Sequence, residues 1–480
     1  MTTSGPMSSQ DLLWLHMDRP TNLMIVDSVL WFDAPVDWEL VRSTVSERLV
    51  ERFPVFRRVP VTDTGRFEAP HWVDHPGFDL DEHLIHVTLP EPGDKAALEA
   101  YASARRCEPL PTDRPPWQYH LIDGYGEGSA MVLRTHHAIA DGIRLMQVAL
   151  GLMDDASGGA LMPPPAVGRK SGVAAASQAQ ALSSEVGHLA RGAVAGLGHV
   201  AGEAVGGTAR AVRHPVDTLR QGPRRAADVA ELLSADRATL PDLLIGGTPK
   251  TVWTGQPGIP KTLSWSDPLP LDQVKEVGRV TGTTVNDVLV TLLAEGLHRW
   301  LADHGADPGR ITVMVPVNLR PLDEALPPDL GNYFALIYLH LPVAHATPHE
   351  RLMEVRTRLR QLKISHETAL TFGLQRAISY APAEVYTRLV NHFADMAMGI
   401  LTNVPGPRDP MYLAGHRVAG LTGFAPSNGH QPLTMTIVSY AGAVTIGVAA
   451  DAGLVPGSRE ICDVAGDALD RLAAAVGLAA

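Results

Sequence analysis

SAMVLRTHHAIADG, residues 129–142, decides how this 480-residue chain is read. It begins as an apolar run, passes through two adjacent histidines and closes on Asp141 and Gly142. A short apolar run of this kind, bounded by turn residues, suits a buried strand. The continuation IRLMQVALGLM then sets Ile143, Met146 and Leu150 at helical spacing. His136 and His137 therefore fall on a strand-to-helix corner, where side chains are expected to face a cleft. Successive residues of a strand point to opposite faces, so His137 groups with Leu133 and Met131, and His136 takes the other side.

A neutral imidazole titrates near pH 6.5, so one facing a cleft can take a proton from an alcohol at neutral pH. Asp141 can serve this chemistry in two ways. It can orient the imidazole, or it can point away, pair with an arginine and hold the shape of the corner, which is the reading preferred here. Gly142 is expected to supply the backbone freedom of the turn. Neighbouring histidines on opposite faces with one carboxylate make a poor metal-ligand set, so no metal is expected.

Bulk properties narrow the class. The length suits two domains and a connector and allows a large apolar interior. With 45% apolar and 19% charged residues and a net charge of −12, the chain reads as a globular protein with no nucleic-acid partner. Cys107 and Cys462 are its only cysteines and are far apart, which suits a reducing compartment. The N-terminus carries no targeting pattern, and no apolar run reaches the ~20 residues of a membrane span.

Working outward from the histidines, residues 1–20 read as a polar, unstructured start, 22–33 as a strand and 36–53 as an amphipathic helix ending before Pro54. Residues 56–75 read as a hairpin with Thr64 and Gly65 at its turn, 78–89 as extended and 96–107 as a helix. A strand after Trp117 should lie beside the histidine strand. From 153 to 249 the composition shifts to Pro, Gly, Ala and Ser. Between 169 and 240, nine Lys or Arg face six Asp or Glu, and a narrow apolar stripe recurs at helical steps. That pattern suits an anionic lipid surface, and equally a helix packed on its own protein or a loose linker. Further on, 261–269 reads as a strand and 271–282 as a helix. Thr284 can cap another, placing Asn286 and Asp287 in its first turn, where a carboxylate is favoured by the helix dipole. Strands at 311–324 and 330–342, helices at 348–363 and near 383–393, strands joined at Ala441-Gly442 and a last helix at 458–476 follow.

With its full spacing, the histidine segment resembles the HHxxxDG motif of the CoA-dependent acyltransferase superfamily, shared by chloramphenicol acetyltransferase, condensation domains of peptide synthetases and bacterial wax ester synthase/diacylglycerol acyltransferases. Further blocks resemble the last branch, in family order: HPGFDLDEHLIHVTLPEPG at 75–93, RPPWQYHLIDG at 114–124, Asn286-Asp287, the strands at 311–324 and 330–342, and TNVPGP at 402–407. In the second of these, Pro116 replaces the leucine of a Pro-Leu-Trp segment. The resemblance implies an α/β (α+β) fold of two chloramphenicol-acetyltransferase-like domains, mixed sheets flanked by helices, with a central tunnel. Residues 1–152 would form the N-terminal acyltransferase domain, 153–249 a partly helical connector and 250–480 the C-terminal acyltransferase-like domain.

The resemblance also implies O-acyl transfer from acyl-CoA, a co-substrate, to diacylglycerol or a long-chain alcohol, with no bound cofactor. His137 would be the general base, supported by His136, with Asp141 paired to Arg320, and Trp117 near the acyl pocket. Asn286 would orient substrate or cofactor, and Asp287 would order the local network. No G-x-S-x-G nucleophile accompanies the histidines, which favours direct transfer over an acyl-enzyme. The protein is expected in the cytoplasm, peripheral to membranes or lipid droplets. The alternatives are a condensation-type enzyme with a carrier-protein donor, a non-catalytic lipid binder on the same fold, and an interfacial structural protein of lipid droplets that relies on the connector.

Overall fold

The computed structural model describes residues 4–63, 69–161, 251–307, 311–318, 334–344, 347–364 and 390–478, and residues 326, 330 and 332. The chain opens with β1 (Ser4–Pro6) and α1 (Ser9–Met17), so the expectation of an unstructured start is corrected. The reason is local. Ser8 and Asp11 form a capping box, each side chain bonded to the other's main-chain N–H, at 3.0 and 3.2 Å.

Strand β2 (Ile25–Phe32) and α2 (Trp38–Val45) follow, α2 capped by Asp37 and continuing as one π turn over Ser46–Val50 before Pro54. Strands β3 (Arg58–Val61) and β4 (His71–Asp74) pair antiparallel and β1 joins them; the hairpin tip with Thr64 and Gly65 lies outside the described residues. Next come β5 (Leu84–Thr88), α3 (Lys95–Arg106), β6 (Trp117–Tyr125), β7 (Gly128–His136), α4 (Gly142–Gly151) and β8 (Met153–Asp154). The connector beyond residue 161 lies outside the described residues.

The second half supplies β9 (Lys261–Trp265), β10 (Leu269–Pro270), α5 (Leu271–Thr281) and α6 (Val285–Asp303). It continues with β11 (Ile311–Asn318), β12 (Phe334–Leu341), α7 (Pro348–Ile364), β13 (Gly399–Pro405), β14 (Tyr412–Leu413), β15 (His416–Phe424), β16 (Leu433–Tyr440) and β17 (Ala443–Asp451). The C-terminal helix Ser458–Ala475 closes the chain. β12 starts at Phe334, later than the strand expected from 330. Most of the helix expected near 383–393 is outside the described residues.

Two mixed sheets carry the architecture. The first runs β5-β6-β7-β2-β15-β14-β8 and the second β10-β17-β16-β13-β11-β12, with β9 on β17. β14 and β15 thus come from the second half of the sequence but complete the sheet of the first. β15 can approach β2 because residue 420 is glycine: a Cβ there would lie 2.2 Å from the Trp31 ring. Helices α5, α6, α7 and the C-terminal helix cover one face of the second sheet in a single apolar core. Helix α3 bridges the halves: Ser103 Oγ accepts the Leu263 N–H at 2.8 Å, Lys95 pairs with Asp267 at 2.7 Å, and Glu99 meets Arg459. Trp31 on β2 stacks with Trp265 on β9 at 6.1 Å, a further contact between halves.

Candidate active site

Strand β7 is central in its sheet, with Thr135 opposite Trp117 of β6 and His136 opposite Ile25 of β2, and all nine of its residues are buried. The two faces separate cleanly. Met131 and Leu133 join the apolar core that contains Trp14, while Ala130 and Val132 join the cluster that contains Trp265. The even face also carries an ionic cluster: Asp27 accepts from Arg106 at 2.5 Å and faces Arg134 at 3.4 Å, all three buried.

Past the strand end the chain turns, the Ile139 N–H bonding to the His136 carbonyl at 3.0 Å. The Ala138 N–H donates to His136 Nδ1 at 3.1 Å, so the neutral ring keeps its proton on Nε2, 3.8 Å from an Asp18 carboxylate oxygen. That contact settles the His136 tautomer. His137 is held by its main chain: its N–H donates to the Met24 carbonyl at 2.8 Å, and its own carbonyl accepts from Asn332 Nδ2 at 3.1 Å. Its ring lies on the Trp14 indole, centroids 3.9 Å apart and planes 27° apart.

Both imidazoles are buried, His137 to 7% exposure. Helix α1 covers the corner. Burial pushes the His137 imidazole down to about 4; the neighbouring His136 adds to this, while hydrogen bonds to its own backbone and to Asn332 oppose it. At neutral pH the ring is therefore uncharged and able to accept a proton.

Residues 7–246 of the chain match the wax ester synthase/diacylglycerol acyltransferase catalytic domain, and residues 330–473 match the C-terminal domain of the same family. The chain belongs to the wax ester synthase/diacylglycerol acyltransferase family. It is an acyltransferase. A putative diacylglycerol O-acyltransferase of Mycobacterium tuberculosis strain H37Rv is 28% identical over 477 residues, covering 95% of this chain and 94% of the relative. A second from the same strain is 27% identical and covers 99% of both chains. Among solved structures, the wax ester synthase/diacylglycerol acyltransferase of Marinobacter aquaeolei VT8 superposes with a TM-score of 0.67 at 20% identity, covering 98% of this chain and 100% of that one. The first condensation domain of the CDA synthetase follows the same fold, with a TM-score of 0.55 at 17% identity over 99% and 98% of the chains.

Within this acyltransferase, Asp141 is the N-cap of α4 and accepts the Arg144 N–H at 2.9 Å. Arg320, its expected partner, lies outside the described residues. Gly142 is the first helical residue, has no left-handed backbone angle, and would have nothing within 4 Å of an added Cβ. The expectation that it frees the turn is therefore corrected: Asp141 makes the corner by capping, and Gly142 leaves the helix start bare. Helix α4 also turns Arg144 and Gln147 inward beside Val148, leaving Ile143, Met146 and Leu150 half-buried.

The other residues singled out from sequence lie elsewhere. Trp117 is fully buried, donates from Nε1 to the Phe56 carbonyl at 2.9 Å and stacks on His83 at 4.5 Å. Its surroundings are core. Asp287 forms a reciprocal capping box with Thr284, accepting its N–H at 2.7 Å. Asn286 accepts from Asn403 Nδ2 at 2.6 Å, so the Asn-Asp pair and the TNVPGP block meet through their asparagines.

Three site residues carried no sequence reading: Trp14, Asp11 and Asn332. Asp11 is buried and accepts from Asn332 Nδ2 at 2.9 Å, and its carboxyl is raised by burial, with Asp141 adding to the effect against the hydrogen bonds from Asn332 and Ser8. The Ser8-x-x-Asp11 spacing before an apolar run was a legible helix-start signal. Nothing local marked Asn332.

Proposed function

We propose that this acyltransferase moves a long-chain acyl group from acyl-CoA to the hydroxyl of diacylglycerol, a long-chain alcohol, or both, forming triacylglycerol or wax ester. The observation that carries the reading is the buried His137 ring, stacked on Trp14 at the HHxxxDG corner. An alcohol is a weak nucleophile because its pKa lies far above 7, and a positioned general base contributes on the order of 10²- to 10⁴-fold. His137 takes the hydroxyl proton as the oxygen attacks the thioester carbonyl; the tetrahedral intermediate expels CoA at sulfur, which takes the proton back from His137, with no acyl-enzyme.

Asp141 holds the corner in this scheme, and His136, with its proton on Nε2 beside Asp18, supports it. Asn286 and Asn403 form an amide pair suited to a polar part of a substrate. Among the described residues no helix is long and apolar enough to cross a membrane. The excess of basic residues at 169–240 supports peripheral attachment to an anionic lipid surface.

The test is product analysis. Purified protein is given labelled long-chain acyl-CoA with diacylglycerol and a long-chain alcohol in parallel, beside a His137→Ala control. Triacylglycerol or wax ester that vanishes in the control is the expected result. Product that persists in the control overturns the base assignment; no product from either acceptor overturns the substrate reading and directs the search to a carrier-protein donor.

A further inference from the structure

The ring that carries the chemistry is held by two residues remote from it in sequence. Trp14 covers one face of the His137 imidazole at 3.9 Å. Asn332, 195 residues further on, uses both protons of one Nδ2: one goes to the His137 carbonyl at 3.1 Å, the other to Asp11 Oδ1 at 2.9 Å. Asp11 and Trp14 are one turn apart on α1, and the Asp11 carboxylate is anchored by the Ser8 N–H at 3.2 Å. The contacts close into a loop from α1 through Trp14 to the ring, and through Asp11 and Asn332 to the main chain beneath it. Leu326 and Leu330, just before Asn332, are buried in the same core as Trp14, so this part of the second half is seated on the first.

We propose that Trp14 and Asn332 are positioning residues for the base: Trp14 sets the plane of the His137 ring and seals it from water, and Asn332, tied to Asp11, fixes the main chain from which the ring projects. This rests on the reading of His137 as the base. An imidazole at a corner otherwise turns about two side-chain bonds, and only one setting aims a ring nitrogen at an incoming hydroxyl. The stack removes that freedom. The amide adds specificity of another kind: it offers two protons to two acceptors, so a carboxylate at residue 332 would face Asp11 and the His137 carbonyl with no proton for either. Because Asn332 belongs to the second half, the base is aimed only when the halves are docked.

Of the charged and titratable groups at the corner, His136 on β7 acts on the ring itself; Asp18 lies 3.8 Å from His136, Asp11 on α1 feels the charge of Asp141, and Asp141 caps α4 at Arg144. Removal of Trp14 admits water, and the imidazole then titrates closer to its ordinary value near 6.5. The acidic limb of kcat/KM should move upward with it.

The experiment is a titration of the full chain labelled at histidine Cε1, with the His137 signal assigned by His137→Gln, in wild type, Trp14→Phe, Trp14→Leu and Asn332→Ala. In parallel, kcat and KM for acyl-CoA are measured across pH. Wild type and Trp14→Phe should titrate near 4, and Trp14→Leu well above. Trp14→Leu and Asn332→Ala should each lose about 10- to 100-fold in kcat with KM little changed. Asn332→Ala should also broaden the His137 line through ring motion. A folded Trp14→Leu with the wild-type titration overturns the proposal, whether or not turnover is detected. If Trp14→Leu does not fold, an unchanged His137 line and unchanged kcat in Asn332→Ala overturn it. An inactive wild type with the expected titrations overturns the acyl-transfer reading and leaves the clamp standing.

Discussion

The helices α4 and α6 each carry a buried aspartate at their start, as α1 does, and the two differ in what surrounds it. At α4, Asp141 sits at the N-cap and accepts one main-chain N–H, with His137 four residues earlier and Asp11 near enough to feel its charge. At α6, Asp287 sits three residues past Thr284, and the two side chains serve each other's N–H groups. The electrostatic reason for an acid is the same at both, since the first turn of a helix favours negative charge. A helix cap by itself does not make a site. What distinguishes α4 is the imidazole sealed against Trp14; what α6 offers is a capping box and a pair of asparagines on its rim.

The sharpest way to break this comparison is to remove the distinguishing group. His137→Ala should lower turnover on the order of 10²- to 10⁴-fold with folding intact, and His136→Ala should lose less, as measured by initial rates and circular dichroism. Asp287→Ala should cost about 1 kcal/mol of stability in a denaturant melt while most activity persists. Activity lost to the same degree as in His137→Ala would move α6 into the catalytic machinery.

Asp141→Asn and Asp141→Ala sharpen the first corner. Asn caps a helix as well as Asp does, so only Ala should lose stability, about 1 kcal/mol. Activity that falls equally in both variants would show that the charge matters beyond the cap.

A third effect is set by pH. His137 is depressed in the folded protein to about 4 from near 6.5, so the unfolded chain takes up its proton first as the medium acidifies. Stability is complete above pH 6.5 and declines toward pH 4. Burial lowers His83 and His120 in the same direction, His120 to about 3, so the decline is shared. His137→Gln should flatten part of it in melts between pH 7 and 4.5.

The smallest effect is a control away from both corners. The β16–β17 turn holds Ala441 at φ 47°, a left-handed setting that glycine adopts without strain. Ala441→Gly should therefore raise stability by up to about 1 kcal/mol and leave turnover untouched. The equivalent Ala414 between β14 and β15, at φ 49°, should respond the same way.

Much of this was legible before any coordinates. An apolar run marked β7, helical spacing after Gly142 and the cap at Thr284 marked α4 and α6, and the period of two put His137 on the face with Met131 and Leu133. Local signals of this kind are written into neighbouring residues, because strand pleat, helix pitch and capping act over one to four positions. The sequence by itself therefore determined the fold class, the family blocks and the corner that carries the histidines. The tertiary structure alone decided how deeply the ring is buried, that β15 completes the first sheet, and that Trp14 and Asn332 meet at His137. The contacts of Trp14 and Asn332 with His137, and of β15 with β2, join residues more than a hundred positions apart, and their energy comes from packing and desolvation that appear only once the chain has closed on itself.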